Sequence, residues 1–129
     1  HLILDMAYDR KEEKTHGERG LIVGNVSGKN VLIIDDVISA GLSSKRAIEF
    51  VRKQNGNVSG ILVALDRMER GESSDSENFK NTTEEIMAMT GVPVFSLADL
   101  SDLKNCGRID SDNAKQIDLY IQKYGSYVK

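Results

Sequence analysis

The sequence predicts an α/β fold: a mostly parallel sheet flanked by helices. Three observations lead there. First, VLIID (31–35), VSGILVALD (58–66) and VPVFSL (92–97) are apolar almost throughout rather than alternating, as in strands covered on both faces. Second, the period changes to that of a helix between and after these runs, so strands and helices alternate along the chain. Third, 129 residues at 40% hydrophobic content suffice for one domain with a real core.

The elements follow in order. LILDMAY (2–8) reads as a buried strand. DRKEEKTHGERG (9–20) has no large apolar residue and reads as a loop. LIVGNV (21–26) is a second strand, SGKN a turn and VLIID (31–35) a third strand. In SSKRAIEFVRKQNG, Ala47, Ile48 and Val51 line one helical face, with Lys45, Arg46, Glu49, Arg52 and Lys53 mostly on the other. Asn55-Gly56 is a helix stop. The strand 58–66 is followed by a polar connection, 67–81. A helix over 82–91 comes next, with Thr82 and Glu85 at capping-box spacing. After the strand 92–97 come a short helix, 98–105, and an amphipathic helix, 111–125, with Ile117, Tyr120, Ile121 and Tyr124 on one side. There are no repeats and no internal boundary, so residues 1–129 read as one domain.

The formal charge of −3 does not advertise nucleic acid or an anionic membrane as a partner. No apolar run approaches the ~20 residues of a membrane helix. The single cysteine, Cys106, permits no internal disulfide, fits a reducing, cytoplasmic setting and reads as packing filler rather than a nucleophile. The chain opens inside an apolar run without a Met, which suggests that an N-terminal portion of a longer protein precedes it.

The chemistry concentrates in VLIIDDVISAGLSSK (31–45). A buried strand ends on Asp35 and Asp36, whose side chains must point to opposite faces. Two adjacent carboxylates are costly there unless water, donors or a cation satisfies them. Ligands of parallel sheets sit beyond the carboxyl ends of the strands, where these acids and Asp66-Arg67 both lie. Ala40-Gly41 then lets backbone N–H groups approach an anion. Ser39, Ser43 and Ser44 offer hydroxyls, and a helix N-terminus follows. A diol at one end and a phosphate at the other would satisfy both halves, as in a ribose 5-phosphate. The plainer alternative is that the acids cap the strand-to-helix turn and the serines cap the helix.

VLIIDDVISAG resembles the phosphoribosyl pyrophosphate (PRPP) signature of type I phosphoribosyltransferases. RKEEKTHGERG (10–20) resembles the catalytic loop of the orotate phosphoribosyltransferases, and ALDRMERG (64–71) resembles their L-D-R-x-E element. The order and spacing of the three blocks agree. The resemblance implies a type I phosphoribosyltransferase-like fold. It also implies transfer of ribose 5-phosphate from PRPP to orotate, giving orotidine 5′-monophosphate and pyrophosphate, a step of pyrimidine biosynthesis. Carried over by position, Arg10, Lys11, Lys14 and His16 would bind pyrophosphate, with Lys14 most important for rate and Gly17 and Gly20 allowing the loop to close. Asp35 and Asp36 would hold the ribose hydroxyls, with Asp36 the main contact and a catalytic residue beside Lys14 and His16. Val37, Ile38, Ser39, Ala40, Gly41, Leu42 and Ser43 would complete the PRPP cradle, and Ser39 and Arg67 would contact orotate. Mg²⁺ is implied near Asp35 and Asp36, held mainly by PRPP, with no protein ligand assigned. A homodimer is implied too, with loop 9–20 reaching the neighbouring subunit's site.

This chain departs from the family pattern at three positions. Arg19 stands where glycine is usual, Ser39 replaces a common threonine, and Leu42 stands where a threonine hydroxyl often serves the phosphate. The family's N-terminal hood over orotate, and a further lysine contacting PRPP, have no counterpart in these residues. Three other readings stay open at this point: another phosphoribosyltransferase using a purine or uracil, a non-catalytic PRPP or nucleotide sensor, and a phospho-acceptor receiver domain. Receivers also end a strand on paired acids, but lack the basic loop and the phosphate cradle.

Overall fold

The computed structural model describes residues 5–9, 22–72 and 81–126. In chain order the elements are β1 (Tyr8–Asp9), β2 (Ile22–Val23), β3 (Asn30–Ile38), α1 (Leu42–Lys53), β4 (Asn57–Asp66), α2 (Thr82–Thr90), β5 (Val94–Asp99), α3 (Leu100–Asn105) and α4 (Ser111–Tyr124). Strands β3, β4 and β5 lie side by side in that order, all parallel. The mostly parallel α/β fold expected from the sequence is therefore present. Of the first two expected strands, the described residues show two-residue segments in a separate antiparallel pair, with Tyr8 opposite Val23 and Asp9 opposite Ile22. This ladder brings the two ends of segment 10–21 together. The segment itself lies outside the described residues.

Two boundaries move for identifiable reasons, and the end of α1 holds. Strand β3 runs on past the acids to Ile38, because Val37 and Ile38 still pair with Leu65 and Asp66, and Ile38 is buried in the core. Helix α1 ends in a Schellman arrangement. Asn55 takes the left-handed conformation, its N–H reaches the Arg52 carbonyl, and the Gly56 N–H reaches that of Val51. Helix α2 is not capped by the Thr82–Glu85 box. Asn81 is its N-cap and accepts from the Glu84 N–H at 2.8 Å. Thr82 is instead buried and donates its hydroxyl to the Glu69 carbonyl, while Glu85 pairs with Lys45. Both residues of the expected box are thus engaged elsewhere, and the cap falls one residue earlier.

Helices α1 and α2 cover one face of the sheet. Ile48 and Val51 of α1 and Ile86 of α2 pack with Ile61, Val63, Val58 and Val92, flanked by Val31, Ile33 and Val94. The expectation of cover on both faces is not met among the described residues. The opposite face carries Leu32, Ile34, Leu62, Phe95 and Leu97, of which Ile34 is 74% and Leu97 75% exposed. These apolar strands read correctly as strands, but only one of their two faces is packed here. Cys106 follows α3 and is exposed, so it is not the packing filler expected of it. No described helix is long and apolar enough to cross a membrane.

The α1–α2 layer is also held by charge. Lys45 lies 2.5 Å from Glu85, which is only 2% exposed, and 3.5 Å from Glu72. Burial pulls the Lys45 pKa down, but the hydrogen bond and charge of Glu85, with help from Glu72, outweigh it and leave the pKa raised. Removing the cation would leave a buried carboxylate without its main counter-charge. Lys45→Met should lower unfolding free energy by about 3 kcal/mol in denaturant titrations. Asn81→Ala should cost about 1 kcal/mol, and Thr82→Asn should not restore it. Because the folded lysine pKa is raised, the stability it contributes is complete below the ordinary value of 10.5 and is lost as pH climbs through the raised value. The gap between wild type and Lys45→Met should therefore narrow only in strongly alkaline melts.

Candidate functional site

The site lies at the carboxyl ends of the parallel strands. Ile38 pairs with Asp66, and Asp66 with Asp99, so the three strands end level with one another. Asp35 is half-buried and shares a sheet face with Ile33 and Val37, while Asp36 is exposed on the other face. Asp35 accepts from the Asp36 N–H at 3.0 Å through Oδ1, and Asp36 accepts from the Val37 N–H at 2.8 Å in the same way. Each therefore bonds a neighbouring strand N–H with one oxygen only; the acids do not cap the strand-to-helix turn and no serine caps α1, as the plainer reading would have it. The Oδ2 atoms have no protein partner among the described residues and remain available to hydroxyls or a hydrated cation.

Beyond β3 the chain turns at Gly41, whose φ of +78° lies in the left-handed region. A side chain there would also collide. A Cβ would sit 2.7 Å from Thr82 Cγ2 and 3.1 Å from Ile86 Cδ1, so α2 presses directly on the back of the turn. Gly41 is the N-cap of α1, and no side chain caps that end. The N–H groups of the first turn and the positive end of the helix dipole are thereby presented where an anion would lie. Ser39 and Ala40 are half-buried, Ser43 is exposed and Leu42 about half exposed. Ser44 is 2% exposed, so Ser43 rather than Ser44 can supply the hydroxyl that Leu42 lacks. Val37 and Ile38 can serve a ligand only through backbone, and the Ile38 carbonyl already accepts from the Arg67 N–H at 3.0 Å.

Arg67 follows β4 on the same edge. Its Nε lies 3.3 Å from Glu69 Oε1, and its Nη2 donates to the Tyr120 hydroxyl, which in turn donates to Glu69 Oε1. The guanidinium carbon also sits 4.9 Å from the centroid of the Tyr120 ring. Burial, followed by the neighbouring Glu69, pushes the Tyr120 phenol up to about 12, so it stays neutral near physiological pH. Burial also raises the Asp66 pKa, reinforced by Asp99 and Glu69, although the Met68 N–H bonds its carboxylate at 2.7 Å and opposes the shift. The ion pair between Arg67 and Glu69 leaves part of the guanidinium fork unused. Tyr120 and Glu69 were not foreseen as site residues. A tyrosine on the apolar face of the last helix, beside Ile117, Ile121 and Tyr124, whose hydroxyl needs a partner when covered, was the available signal.

Arg10, Lys11, Lys14, His16, Gly17 and Gly20 lie outside the described residues. No group of three or more metal-ligating side chains occurs among the described residues. Asp35 and Asp36 stand on opposite faces of β3, so they do not form a protein cage for one cation.

Residues 4–96 match the family described as phosphoribosyl transferase domain. The chain belongs to the phosphoribosyltransferase family. It is 40% identical over 124 residues to an orotate phosphoribosyltransferase of Metarhizium anisopliae, a match covering 92% of this chain and 53% of that protein. It is 41% identical over 122 residues to one from Laribacter hongkongensis, covering 92% and 55%. The crystal structure of orotate phosphoribosyltransferase from Francisella tularensis superposes with a TM-score of 0.66 at 26% identity, over 95% of this chain and 56% of that one. The Mycobacterium tuberculosis orotate phosphoribosyltransferase, solved in complex with PRPP, gives a TM-score of 0.57 at 28% identity, over 78% and 50%. The chain thus spans about half the length of the curated relatives it matches. Membership in the phosphoribosyltransferase family sets the receiver-domain alternative aside.

Gly41→Ala tests the geometry of the turn. It places a Cβ against Thr82 and Ile86 in a left-handed conformation, and should cost about 2 kcal/mol of stability. Inorganic phosphate should stabilise wild type in thermal melts, and this variant less.

Proposed function

We propose that this chain forms the PRPP- and orotate-binding core of an orotate phosphoribosyltransferase, an enzyme of pyrimidine biosynthesis. The observation that carries the reading is one level sheet edge bearing paired acids, an uncapped helix N-terminus and Arg67, in a chain about 40% identical to orotate phosphoribosyltransferases. The alternative bases, purine or uracil, lack the carboxylate that a guanidinium at this edge would recognise.

In this reading the first-turn amides of α1, the backbone of Val37–Gly41 and the Ser43 hydroxyl hold the 5-phosphate of PRPP. Asp36, with Asp35, orients the ribose hydroxyls through the free Oδ2 oxygens. Arg67 and Ser39 hold orotate, the guanidinium pairing with its carboxylate. The bond from the anomeric carbon to pyrophosphate breaks as the base nitrogen approaches. Positive charge builds on the sugar and negative charge on the leaving group. Arg10, Lys11, Lys14 and His16 neutralise the latter and, as segment 10–21 closes, exclude water. Asp36 faces the cationic side of the same separation. Mg²⁺, held mainly by PRPP and its waters near Asp35 and Asp36, supplies further charge neutralisation when bound.

We further propose a homodimer in which segment 9–20 serves the neighbouring subunit's site, and a cytoplasmic location. A segment upstream of His1 would supply a hood over orotate and a further lysine for PRPP. The half-length match to the curated relatives and the open apolar face of Ile34, Phe95 and Leu97 support an additional segment.

The test is loss of orotate absorbance on adding PRPP and Mg²⁺, with hypoxanthine, adenine and uracil as competing bases. It should be run on the full natural protein beside residues 1–129. Turnover with orotate alone is expected; turnover with another base would overturn the substrate, and PRPP binding without turnover would favour a sensor. Lys14→Ala should lower kcat by about 100-fold or more while moving the orotate KM less than about threefold.

A further inference from the structure

The Arg67 side chain is 40% exposed and bears four rotatable bonds' worth of freedom, yet it is held on three sides. Glu69 Oε1 lies 3.3 Å from Nε as an ion pair, the Tyr120 hydroxyl accepts one hydrogen of Nη2, and the Tyr120 ring lies against the guanidinium. The Tyr120–Glu69 hydrogen bond closes the triangle. Of the five N–H donors of an arginine, one on Nη2 is spent in a hydrogen bond among the described residues and Glu69 occupies the Nε side, while both hydrogens of Nη1 and the other of Nη2 remain. Those are the donors of the end-on fork, which can take a carboxylate with two parallel hydrogen bonds.

The tyrosine is itself fixed by the way α4 is bound to the turn after β4. The Arg70 N–H donates to the Tyr124 carbonyl at 2.9 Å, and Arg70 Nη2 to the Lys123 carbonyl at 2.7 Å. The Ser126 N–H reaches the Met68 carbonyl at 3.1 Å. Met68 is buried with a positive φ of 57°, a conformation that such a residue holds only when its surroundings enforce it. Where the helix ends, a Cβ at Gly125 would strike the Ile121 carbonyl, so the chain passes too closely there for any side chain. Helix α4 and the 67–70 turn thus form one unit, and the Tyr120 hydroxyl is delivered to Arg67 by that unit.

We propose that Tyr120, acting with Glu69, is a positioning residue for Arg67: it holds the guanidinium so that its outer fork is presented to the carboxylate of the acceptor base. This rests on the assignment of Arg67 to orotate recognition. Freezing the side chain before the ligand arrives removes a conformational cost that would otherwise be charged against binding. The effect belongs to the base, not to PRPP, whose contacts lie on β3, α1 and segment 10–21.

The experiment measures KM for orotate and for PRPP separately in the full natural protein, wild type against Tyr120→Phe and Tyr120→Leu, with melting temperatures in parallel. Tyr120→Phe keeps the ring against Arg67 and loses only the hydroxyl. It should raise the orotate KM by about tenfold, with the PRPP KM and the melting temperature nearly unchanged. Tyr120→Leu should raise the orotate KM further, and an unstable Leu variant leaves the Phe variant to decide. In an Arg67→Ala background, adding Tyr120→Phe should change the orotate KM no further, because the hydroxyl acts only through the guanidinium. An unchanged orotate KM in Tyr120→Phe would overturn the proposal. So would equal rises in both KM values, or a full additional loss in the Arg67→Ala background. A wild type that turns over another base but not orotate would instead remove the assignment underneath, and the two failures are told apart by wild type alone.

Discussion

The register of β3 against β4 and of β4 against β5 is the constraint on which the rest depends. Ile38 pairs with Asp66, and Asp66 with Asp99, so three strands finish at one level. A side chain in a strand alternates faces with a period of two. A slip of one residue would therefore exchange the positions of Asp35 and Asp36 and turn Ile33 from the packed face to the open one. Ile33, which pairs with Ile61 and packs with it and Val63 on the covered face, opposes that slip. The acids remain at the edge because the apolar residues around them cannot move.

The same register sets the start of α1. With Ile38 locked in the core, only Ser39, Ala40 and Gly41 remain to turn the chain, and α2 presses on that turn through Thr82 and Ile86. The turn must therefore be tight and must have no side chain at Gly41. That leaves a helix N-terminus with no side-chain cap at the place where the sheet ends. Four residues on, Lys45 ties α1 to the buried Glu85 of α2. The uncapped N-terminus of α1 and the buried ion pair are thus the outer and inner faces of one helix start.

At the second strand end the arrangement is electrostatically milder. Arg67, Glu69 and Tyr120 form a closed group with one positive and one negative charge and a neutral phenol. Such a group is ordered without being satisfied, since part of the guanidinium fork is unspent. The opposite sheet face tells a different story. Leu32, Ile34, Phe95 and Leu97 form an apolar surface that the described helices leave open. A parallel sheet ordinarily has both faces covered, and the chain's match to about half of each curated relative is consistent with that surface belonging to a larger body.

Much of this was legible in the sequence by itself. Uninterrupted apolar runs around 31–35 and 58–66, with a helical period between them, pointed to a parallel sheet, because strands of such sheets carry runs of this kind; the cover on both faces that usually goes with them is not met among the described residues. The D-D pair and the S-A-G turn after it marked the strand edge as polar and the connection to α1 as tight, as small residues and glycine require. Asn55-Gly56 marked the end of α1 through its own local backbone preference. These are local properties, encoded within a few residues of where they act. Tertiary structure decided the rest. Thr82 and Glu85 have the spacing of a capping box, but Glu69 and Lys45, distant in sequence, engage them, and Asn81 caps instead. Ser44 was as good a phosphate ligand as Ser43 until packing buried one and exposed the other. Tyr120 lies 53 residues beyond Arg67, so no local pattern could join them. Partners brought together across the fold are chosen by packing, and that choice is not written at either position alone.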